Sequence, residues 1–136
     1  MDADEARRFL QSRHRAVLIT SRRDGRPQAS PVLATVDAGG RVVVSSRETA
    51  MKAMNLARDS RASLCVLSDD FFGPWVQIDG DVEIVRRPEA IDVLVEYYRQ
   101  VSGEHPDWDD YRAAMEAERR VALRLTITGA GPDRSG

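Results

Sequence analysis

The 136-residue chain contains few of the residues on which disulfide, metal or nucleophile chemistry depends. Its single cysteine, Cys65, excludes an internal disulfide and lies in the apolar run ASLCVL, where we expect a small core residue in a reducing compartment. Two histidines provide no pair at zinc-site spacing. No apolar run approaches the roughly 18 residues of a membrane-spanning helix, and the acidic N-terminal segment lacks the features of a signal peptide. We therefore expect a soluble cytoplasmic protein without a metal and without a membrane partner.

Charge and motifs exclude several further functions. A net charge of −2 provides no overall attraction to nucleic acid. Neither a Walker phosphate loop nor a dinucleotide fingerprint is present, and Gly39-Gly40 is interpreted as a turn between strands. No serine has the setting of a hydrolase nucleophile, and the acidic segment HPDWDD (residues 105–110) is typical of a helix start. We therefore nominate no catalytic side chain and no metal ligand.

The strand pattern predicts a mainly β domain of the α+β class. Asp24-Gly25 is a strong hairpin signal between the β-rich runs RAVLIT and PQASPVLATV, and a second turn leads into RVVVSS. Three more strands are predicted at RASLCVLS, PWVQIDGDVEIV and VALRLTIT. Six antiparallel strands with a few covering helices indicate a small barrel over residues 1–129. The small and polar residues 130–136 are expected to form a disordered tail.

Helical spacing predicts helices at residues 3–13, at residues 88–103 and from Pro106 onward. Whether this last helix covers a pocket or packs on a partner subunit stays open at this point. Another helix is predicted in SSRETAMKAMNLAR, because Ser45 and Glu48 have the spacing of a capping box. In that helix Met51 and Met54 are expected to face the core, with Lys52 and Asn55 on the other side.

Lys52 is the one lysine among 20 basic residues, the others being arginine. Arginine suits flat, two-pronged contacts, whereas lysine provides a compact point charge, so either a phosphate partner or chance explains the exception. The residues expected around the start of the same helix, where free N–H groups attract anions, are Ser45, Ser46, Arg47 and Thr49. Gln28 and Ser30 share a face of the neighbouring strand. Together these residues predict a phosphate pocket beside a sheet face.

Trp75 lies on the polar face of its predicted strand, together with Gln77 and Asp79. Two interpretations stay open for this exposed aromatic residue. It forms either one wall of a ligand site or the cover of a barrel end or dimer interface, and the two are compatible.

Three stretches, DGRPQASPV, TAMKAMNLARDSRASL and WVQIDGDVEIV, give the chain a resemblance to a known superfamily. The chain resembles the flavin/deazaflavin oxidoreductases, also called pyridoxamine 5′-phosphate oxidase-like proteins. In GEHPDWDDYRAAMEAERRVAL it is similar to the actinobacterial branch that uses coenzyme F420. The resemblance covers about residues 5–128. It implies a six-stranded split β-barrel that acts as a homodimer with cofactor sites at the subunit interface.

The resemblance also implies a set of cofactor-binding residues. The positions that match are Gln28, Ser30, Pro31, Ser45, Ser46, Arg47, Met51, Lys52, Asn55, Trp75 and Gln77. Lys52 matches the lysine that contacts the cofactor phosphate, and the hairpin residues match positions near the ring. Trp75 and Gln77 match strand positions that reach the site from the partner chain. Where relatives often have another basic residue this chain has Ala50, so tail binding is expected to rest on Arg47.

The implied function is an F420H2-dependent reductase that transfers a hydride to a small conjugated substrate of enone, quinone or tetrapyrrole type. One alternative is an FMN-binding oxidoreductase of the pyridoxamine phosphate oxidase type, and another is a non-enzymatic F420 or flavin carrier. Arg22, Arg23 and Arg26 form either a basic groove for the oligoglutamate tail of F420 or a solvated turn.

Overall fold

The computed structural model describes residues 1–132, which form four helices and six strands. In chain order these are α1 (Ala3–Leu10), β1 (Arg15–Ser21), β2 (Pro27–Val36), β3 (Val42–Arg47), α2 (Met51–Arg58), β4 (Arg61–Leu67), β5 (Trp75–Val85), α3 (Glu89–Ser102), α4 (Trp108–Ala117) and β6 (Arg120–Gly131). The strands close an antiparallel barrel in the order β1-β2-β3-β6-β5-β4. The predicted fold, six antiparallel strands with covering helices, is confirmed.

The barrel interior is formed by strands in which inward-facing apolar residues alternate with outward-facing residues. β5 buries Val76, Ile78 and Val82 and exposes Trp75 and Gln77, as predicted. The buried residues that meet them from other strands include Leu18, Leu64, Val66, Val121 and Leu123. Burial of this apolar surface is the main force that closes the barrel.

The barrel is split between β2 and β3. Residues 27–33 of β2 pair with β1, but only residues 34–36 pair with β3. On its other side β3 pairs with β6 over its whole length, from Val42 to Arg47. An opening therefore separates the first half of β2 from the second half of β3, in agreement with the implied split barrel.

The two ends of the barrel are closed by two short helices. We call the end with the β1–β2 turn (residues 22–26) the hairpin end, and the opposite end, with the loop of residues 68–74, the far end. At the far end α1 buries Ala6 and Leu10 completely. At the hairpin end α2 packs against β1, β3 and β5.

Two further helices cover one side of the barrel, where α3 and α4 pack on β2, β3 and β6. Val43 and Ala122 from the strands join Leu94 and Tyr111 from the helices in a second core. The Tyr111 hydroxyl donates to the carbonyl of Leu94 at 2.9 Å. In the single chain the helix after Pro106 therefore packs on α3. None of the helices within residues 1–132 has the length and apolar character required to cross a bilayer.

The predicted capping box is wrong. Residues 45–47 continue β3, since they pair with residues 120–122 of β6, and α2 begins only at Met51, with Ala50 as an N-cap that has no side-chain hydrogen bond. The strand ladder satisfies several backbone groups at once, whereas the cap would have satisfied two. Ser45, Ser46 and Arg47 are therefore strand residues and do not lie at a helix start.

The predicted core face of this helix is also wrong. Ala53 and Leu56 are buried, together with Asn55, whereas Met51 and Met54 are 57% and 56% exposed. Packing of Leu56 in the barrel core and the hydrogen bond from Asn55 to Thr20 set the rotation of the helix, so the methionines face outward.

The end of the domain extends beyond residue 129. Ala130 and Gly131, assigned to the tail by the sequence, belong to β6, because they pair with Ile78 and Gln77 of β5. The remaining tail positions 133–136 lie outside the described residues.

Candidate functional site

Lys52 lies in the first turn of α2, at the hairpin end. Partial burial lowers the pKa of its ammonium below the usual lysine value of 10.5, and the positive charge of Arg120 lowers it further. Within residues 1–132 no carboxylate forms an ion pair with Lys52. A cation that is partly desolvated and unpaired is stabilised most by an added anion.

Arg47 and Arg120 extend this positive charge, and with Lys52 they form what we call the basic cluster. The two arginines lie directly opposite each other in the β3–β6 ladder. Glu118 contacts both, with its Oε1 2.9 Å from Arg120 Nη2 and 3.9 Å from Arg47 Nη2. Three cations and one carboxylate leave an excess of two positive charges. The cluster is therefore suited to bind an anion of high charge density, such as a phosphate.

Arg120 was missed by the sequence analysis. It lies 68 positions after Lys52 in the chain, and only the antiparallel register of β3 and β6 places it beside Arg47. No local pattern in ERRVAL distinguishes it from a solvent-exposed arginine. A predicted pairing of RVVVSSR with RRVALRL is the signal that would have identified it.

Glu48 fixes the segment that joins β3 to α2. Its carboxylate accepts a hydrogen bond from Arg87 at 2.8 Å and forms an ion pair with Arg119 at 2.5 Å. Its backbone N–H donates to the carbonyl of Arg119 at 3.0 Å. The side chain is largely buried, so these contacts are screened less than surface ion pairs. Glu48 thus holds the connection before Lys52 against the turn before β6, instead of acting as a helix cap.

Tyr97 of α3 lies in the opening between β2 and β3, and the sequence analysis did not select it. Its hydroxyl donates to the carbonyl of Leu33 at 2.9 Å and accepts from the backbone N–H of Ser45. These two strand residues would pair with each other if the ladder continued. Burial raises the pKa of the hydroxyl, so it remains protonated at neutral pH. The side chain takes the place of ladder hydrogen bonds and keeps the polar strand atoms of the opening partnered.

Asn55 and Gln28 are joined by a chain of hydrogen bonds through Thr20. Asn55 Nδ2 donates to Thr20 Oγ1 at 3.1 Å, and that hydroxyl donates to Gln28 Oε1 at 3.2 Å. Asn55 is 2% exposed. Its side chain therefore anchors α2 to the sheet rather than facing a ligand directly, while Gln28 keeps its amide group at the sheet edge of the same end.

Ser30 lies two residues after Gln28 in β2, on the same face of the strand, and opposite Leu18 of β1. Its Oγ is buried and has no hydrogen-bond partner among the described residues. An unpartnered buried hydroxyl is unfavourable by itself and is relieved by a bound polar group. Ser46, by contrast, donates its own hydroxyl to the carbonyl of Arg47 at 2.9 Å and is buried. Ser46 thus lies beside Arg47 in β3, but its buried hydroxyl is already partnered.

Met51 and Met54 line a cavity of about 360 Å³ between α2 and the β1–β2 turn, which we call the methionine pocket. The other lining residues are Arg22, Arg23, Asp24, Asn55 and Arg58. Met51 is adjacent to Lys52 in the chain, so the pocket and the basic cluster share one helix. Methionine side chains adapt to flat ligands, and the pocket combines them with three arginines.

Trp75, Gln77 and Pro31 lie elsewhere, on a side of the barrel that carries neither α3 nor α4. We call it the uncovered face. Its outward positions form rows across the sheet, in one of which Pro31, Val17, Cys65 and Gln77 are successive partners. Trp75 lies opposite Leu67 at the far end of the same face. Within one chain, Trp75 and Gln77 therefore do not join the residues around Lys52.

The residues at the hairpin end fit a ring cofactor that carries a phosphate. The basic cluster supplies positive charge without a matching number of carboxylates. Ser30 supplies an unsatisfied hydroxyl on the sheet, and the methionine pocket supplies an apolar surface beside them. Among residues 1–132, no side chain in this arrangement pairs a nucleophile with a base.

The chain matches a known protein family and is similar to solved structures. The family model described as pyridoxamine 5′-phosphate oxidase matches residues 3–131. The conserved hypothetical protein Rv2991 from Mycobacterium tuberculosis has a similar structure, with a TM-score of 0.78 and 24% identity over 100% of this chain and 92% of that chain.

Two further structures show the range of proteins that share the barrel. A protein named F420 reductase is similar with a TM-score of 0.71 and 19% identity, over 91% of this chain and 94% of that chain. HutZ, the heme storage protein from Vibrio cholerae, is similar with a TM-score of 0.68 and 18% identity, over 94% of this chain and 92% of that chain. At these identities the likenesses show the fold alone.

Proposed function

The chain belongs to the pyridoxamine 5′-phosphate oxidase family, and on this premise we propose that it is an F420H2-dependent reductase. Its substrate would be a small conjugated compound such as an enone, a quinone or a tetrapyrrole. The observation that carries the proposal is the basic cluster of Arg47, Lys52 and Arg120, beside a pocket lined by further arginines.

The distribution of positive charge favours F420 over FMN. FMN has one phosphate, which the basic cluster alone would satisfy, whereas F420 has a phosphate followed by an acidic tail. Arg22, Arg23 and Arg58 line the methionine pocket on the other side of Met51. Within residues 1–132 neither Arg22 nor Arg23 forms an ion pair. Basic groups therefore continue beyond the phosphate position, as a cofactor with an acidic tail requires.

The mechanism follows from what each residue can do. Bound deazaflavin in its reduced form supplies the hydride. Lys52, Arg47 and Arg120 would hold the phosphate, and the Ser30 hydroxyl would provide a hydrogen bond on the sheet side. The exposed side chains of Met51 and Met54 would cover one side of the bound cofactor and shield that side from water, which would strengthen the electrostatic contacts there. Proton transfer is assigned to no side chain, and solvent can supply the proton.

A homodimer is part of this proposal. The uncovered face carries partly exposed apolar residues in register across neighbouring strands, among them Val17, Ile19 and Leu67, with Trp75 and Leu33 more exposed still. A contiguous apolar face of this kind is typical of an interaction surface. A second copy on this face would supply Trp75 and Gln77 to a site that the single chain leaves without them.

The alternatives have support of their own. The family description, pyridoxamine 5′-phosphate oxidase, favours an FMN-dependent oxidoreductase. The fold is shared with a protein described as a heme storage protein, so a binding protein without catalysis is the other alternative. The free thiol of Cys65, partly buried on the sheet, suits the reducing cytoplasm in either case.

The proposal is tested by titrating the purified protein with F420 and, separately, with FMN while following tryptophan fluorescence. We expect F420 to bind more tightly, and the Trp75→Phe variant to lose most of the quenching, because Trp108 lies in the aromatic cluster of α3 and α4. Lys52→Ala should weaken F420 binding about tenfold or more, since a charge-assisted hydrogen bond contributes about 1.5–3 kcal/mol.

Other outcomes of this titration discriminate among the alternatives. Tighter binding of FMN would favour the oxidase-like alternative, and binding of neither cofactor would contradict the proposed site. F420 binding without turnover of any compound in an enone, quinone and tetrapyrrole panel would favour the carrier. Unchanged affinity in Lys52→Ala would show that the phosphate lies elsewhere.

A further inference from the structure

The loop of residues 68–74, between β4 and β5, holds a defined shape. The Ser68 hydroxyl donates to the carbonyl of Asp70 at 2.8 Å, and the Gly73 N–H donates to the same carbonyl at 2.8 Å. The Phe72 N–H donates to Asp70 Oδ1 at 3.2 Å. A Cβ at Gly73 would lie 2.6 Å from the Ser68 hydroxyl and 3.0 Å from the carbonyl of Asp70, so a side chain there would force the turn to shift. The loop is thus a compact turn organised around Asp70.

This turn presents two aromatic rings to solvent. Phe71 is 73% exposed and Phe72 is 93% exposed. Their rings pack edge to face, with centroids 5.2 Å apart. Two neighbouring phenylalanines held outward by a fixed turn mark an interaction surface, since isolated exposed apolar residues are ordinary but such a pair is not. Asp69 and Asp70 precede them, and Asp69 lies 3.8 Å from Arg15 of the same chain, so the surface is apolar with one net negative charge at its rim.

The methionine pocket has the complementary character. Met51 and Met54 form its apolar part, and Arg22, Arg23 and Arg58 supply positive charge around it, with Asp24 as the one carboxylate. Methionine sulfur makes favourable contacts with aromatic rings. The loop and the pocket therefore match in both apolar content and charge.

The two surfaces cannot meet within one chain. β1 runs from the far end to the hairpin end, and Ala16 near its start pairs with Val66, close to the loop. Ser21, at the other end of β1, leads into the turn that lines the pocket. A seven-residue strand separates them by ~20 Å.

A second copy removes this separation. A twofold axis lying in the uncovered face and running across the strands turns one copy end for end relative to the other. The far end of each copy then lies over the hairpin end of its partner. The same arrangement brings Trp75, which follows the loop directly, toward the residues around Lys52 of the partner.

We propose that in the homodimer the 68–74 loop of each copy covers the opening of its partner's methionine pocket. Phe71 and Phe72 pack on the exposed sides of Met51 and Met54 of the other copy, with Asp70 at the rim of the pocket and its interior left to the cofactor. The cofactor site of each subunit is therefore completed by an aromatic loop supplied in trans, which limits access for substrate. This inference rests on the homodimer of the proposed function.

The test is a crosslinking experiment in a Cys65→Ser background, which removes the native thiol. Phe72→Cys and Met54→Cys are combined in one chain and treated with a short bis-maleimide. A covalent dimer on a denaturing gel is the expected result. Neither single variant should crosslink, because the axis places loop on pocket and not loop on loop. Asp109→Cys combined with Met54→Cys is the matched control, since Asp109 is exposed on α4, away from the uncovered face.

Sedimentation of the same variants separates the two ways in which the inference can fail. A sedimenting dimer that does not crosslink between positions 72 and 54 would overturn the placement of the loop and leave the homodimer intact. Crosslinking of Phe72→Cys alone would overturn it in the same way, by showing that the axis runs along the strands. A monomer would overturn the homodimer itself, and the loop placement with it.

Discussion

The two helices that close the barrel have equal length and opposite design. Both α1 and α2 contain eight residues. The helix at the far end has Asp2 as a side-chain N-cap and buries Ala6 and Leu10 completely. The helix at the hairpin end has no side-chain cap and places Lys52 in its first turn, where the helix dipole opposes a positive charge.

The contrast teaches that each feature which weakens α2 as a helix strengthens it as a binding element. Uncapped N–H groups and a cation at a helix start are unfavourable alone and favourable beside an anion. A buried Asn55 and exposed Met51 and Met54 follow the same pattern. α1 thus has the features of a stable helix, whereas the first turn of α2 has free N–H groups that the proposed ligand would partner.

The largest effect is expected from a substitution in α1. Leu10→Ala leaves a cavity in a fully buried position, so the free energy of unfolding should fall by about 2–5 kcal/mol. Urea denaturation followed by circular dichroism measures this change. Met54→Ala on α2 is the matched control, because an exposed methionine should change the free energy of unfolding by less than about 0.5 kcal/mol. Equal losses in the two variants would refute the contrast.

A smaller effect is expected when the pH is raised, because the affinity for F420 depends on the protonated ammonium of Lys52. Its pKa in the free protein is lowered, and an anion binds best to the protonated ammonium. F420 affinity should therefore be constant near neutral pH and fall by up to about tenfold per pH unit once the pH exceeds this lowered value, below 10.5. Lys52→Arg should retain its affinity over the same range, because arginine stays charged. Parallel losses in both proteins, in fluorescence titrations, would assign the pH dependence to another group.

The smallest effect is expected from adding the missing cap. Ala50 has the extended backbone of an N-cap, with φ −66° and ψ 148°, so the hydroxyl of Ala50→Ser can accept a free N–H of the first turn. The variant should gain about 1 kcal/mol or less in free energy of unfolding, a rise of a few degrees in Tm by calorimetry. It should also bind F420 less tightly, because the serine competes for the same N–H groups. A Tm that does not rise would show that the helix start is already satisfied.

Most of the barrel could be predicted from the sequence because its signals are local. Alternation in β5, the Asp24-Gly25 turn and the helix from Glu89 each depend on neighbouring residues. The start of α2 could not be predicted in this way. The capping spacing of Ser45 and Glu48 is a real local preference, but pairing with β6, far along the chain, outweighs it.

The candidate site likewise contains residues that a local sequence signal identifies and residues that only the fold brings there. Lys52 could be identified as a rare residue type, and its neighbour Arg47 came with it. Arg120 and Tyr97 could not, because strand register brings the first to the site and the packing of α3 brings the second. Their contributions are set by long-range geometry, which a one-dimensional pattern does not contain.

The position of β6 in the strand order also has a kinetic consequence. β6 lies between β3 and β5, so the two strands remain unpaired edges until it is added. During synthesis it leaves the ribosome after every other strand, and the contacts that close the barrel join distant parts of the chain. Such contacts form slowly. Until they form, the unpaired edges of β3 and β5 are prone to aggregation. The nascent barrel is therefore most vulnerable just before its last strand arrives.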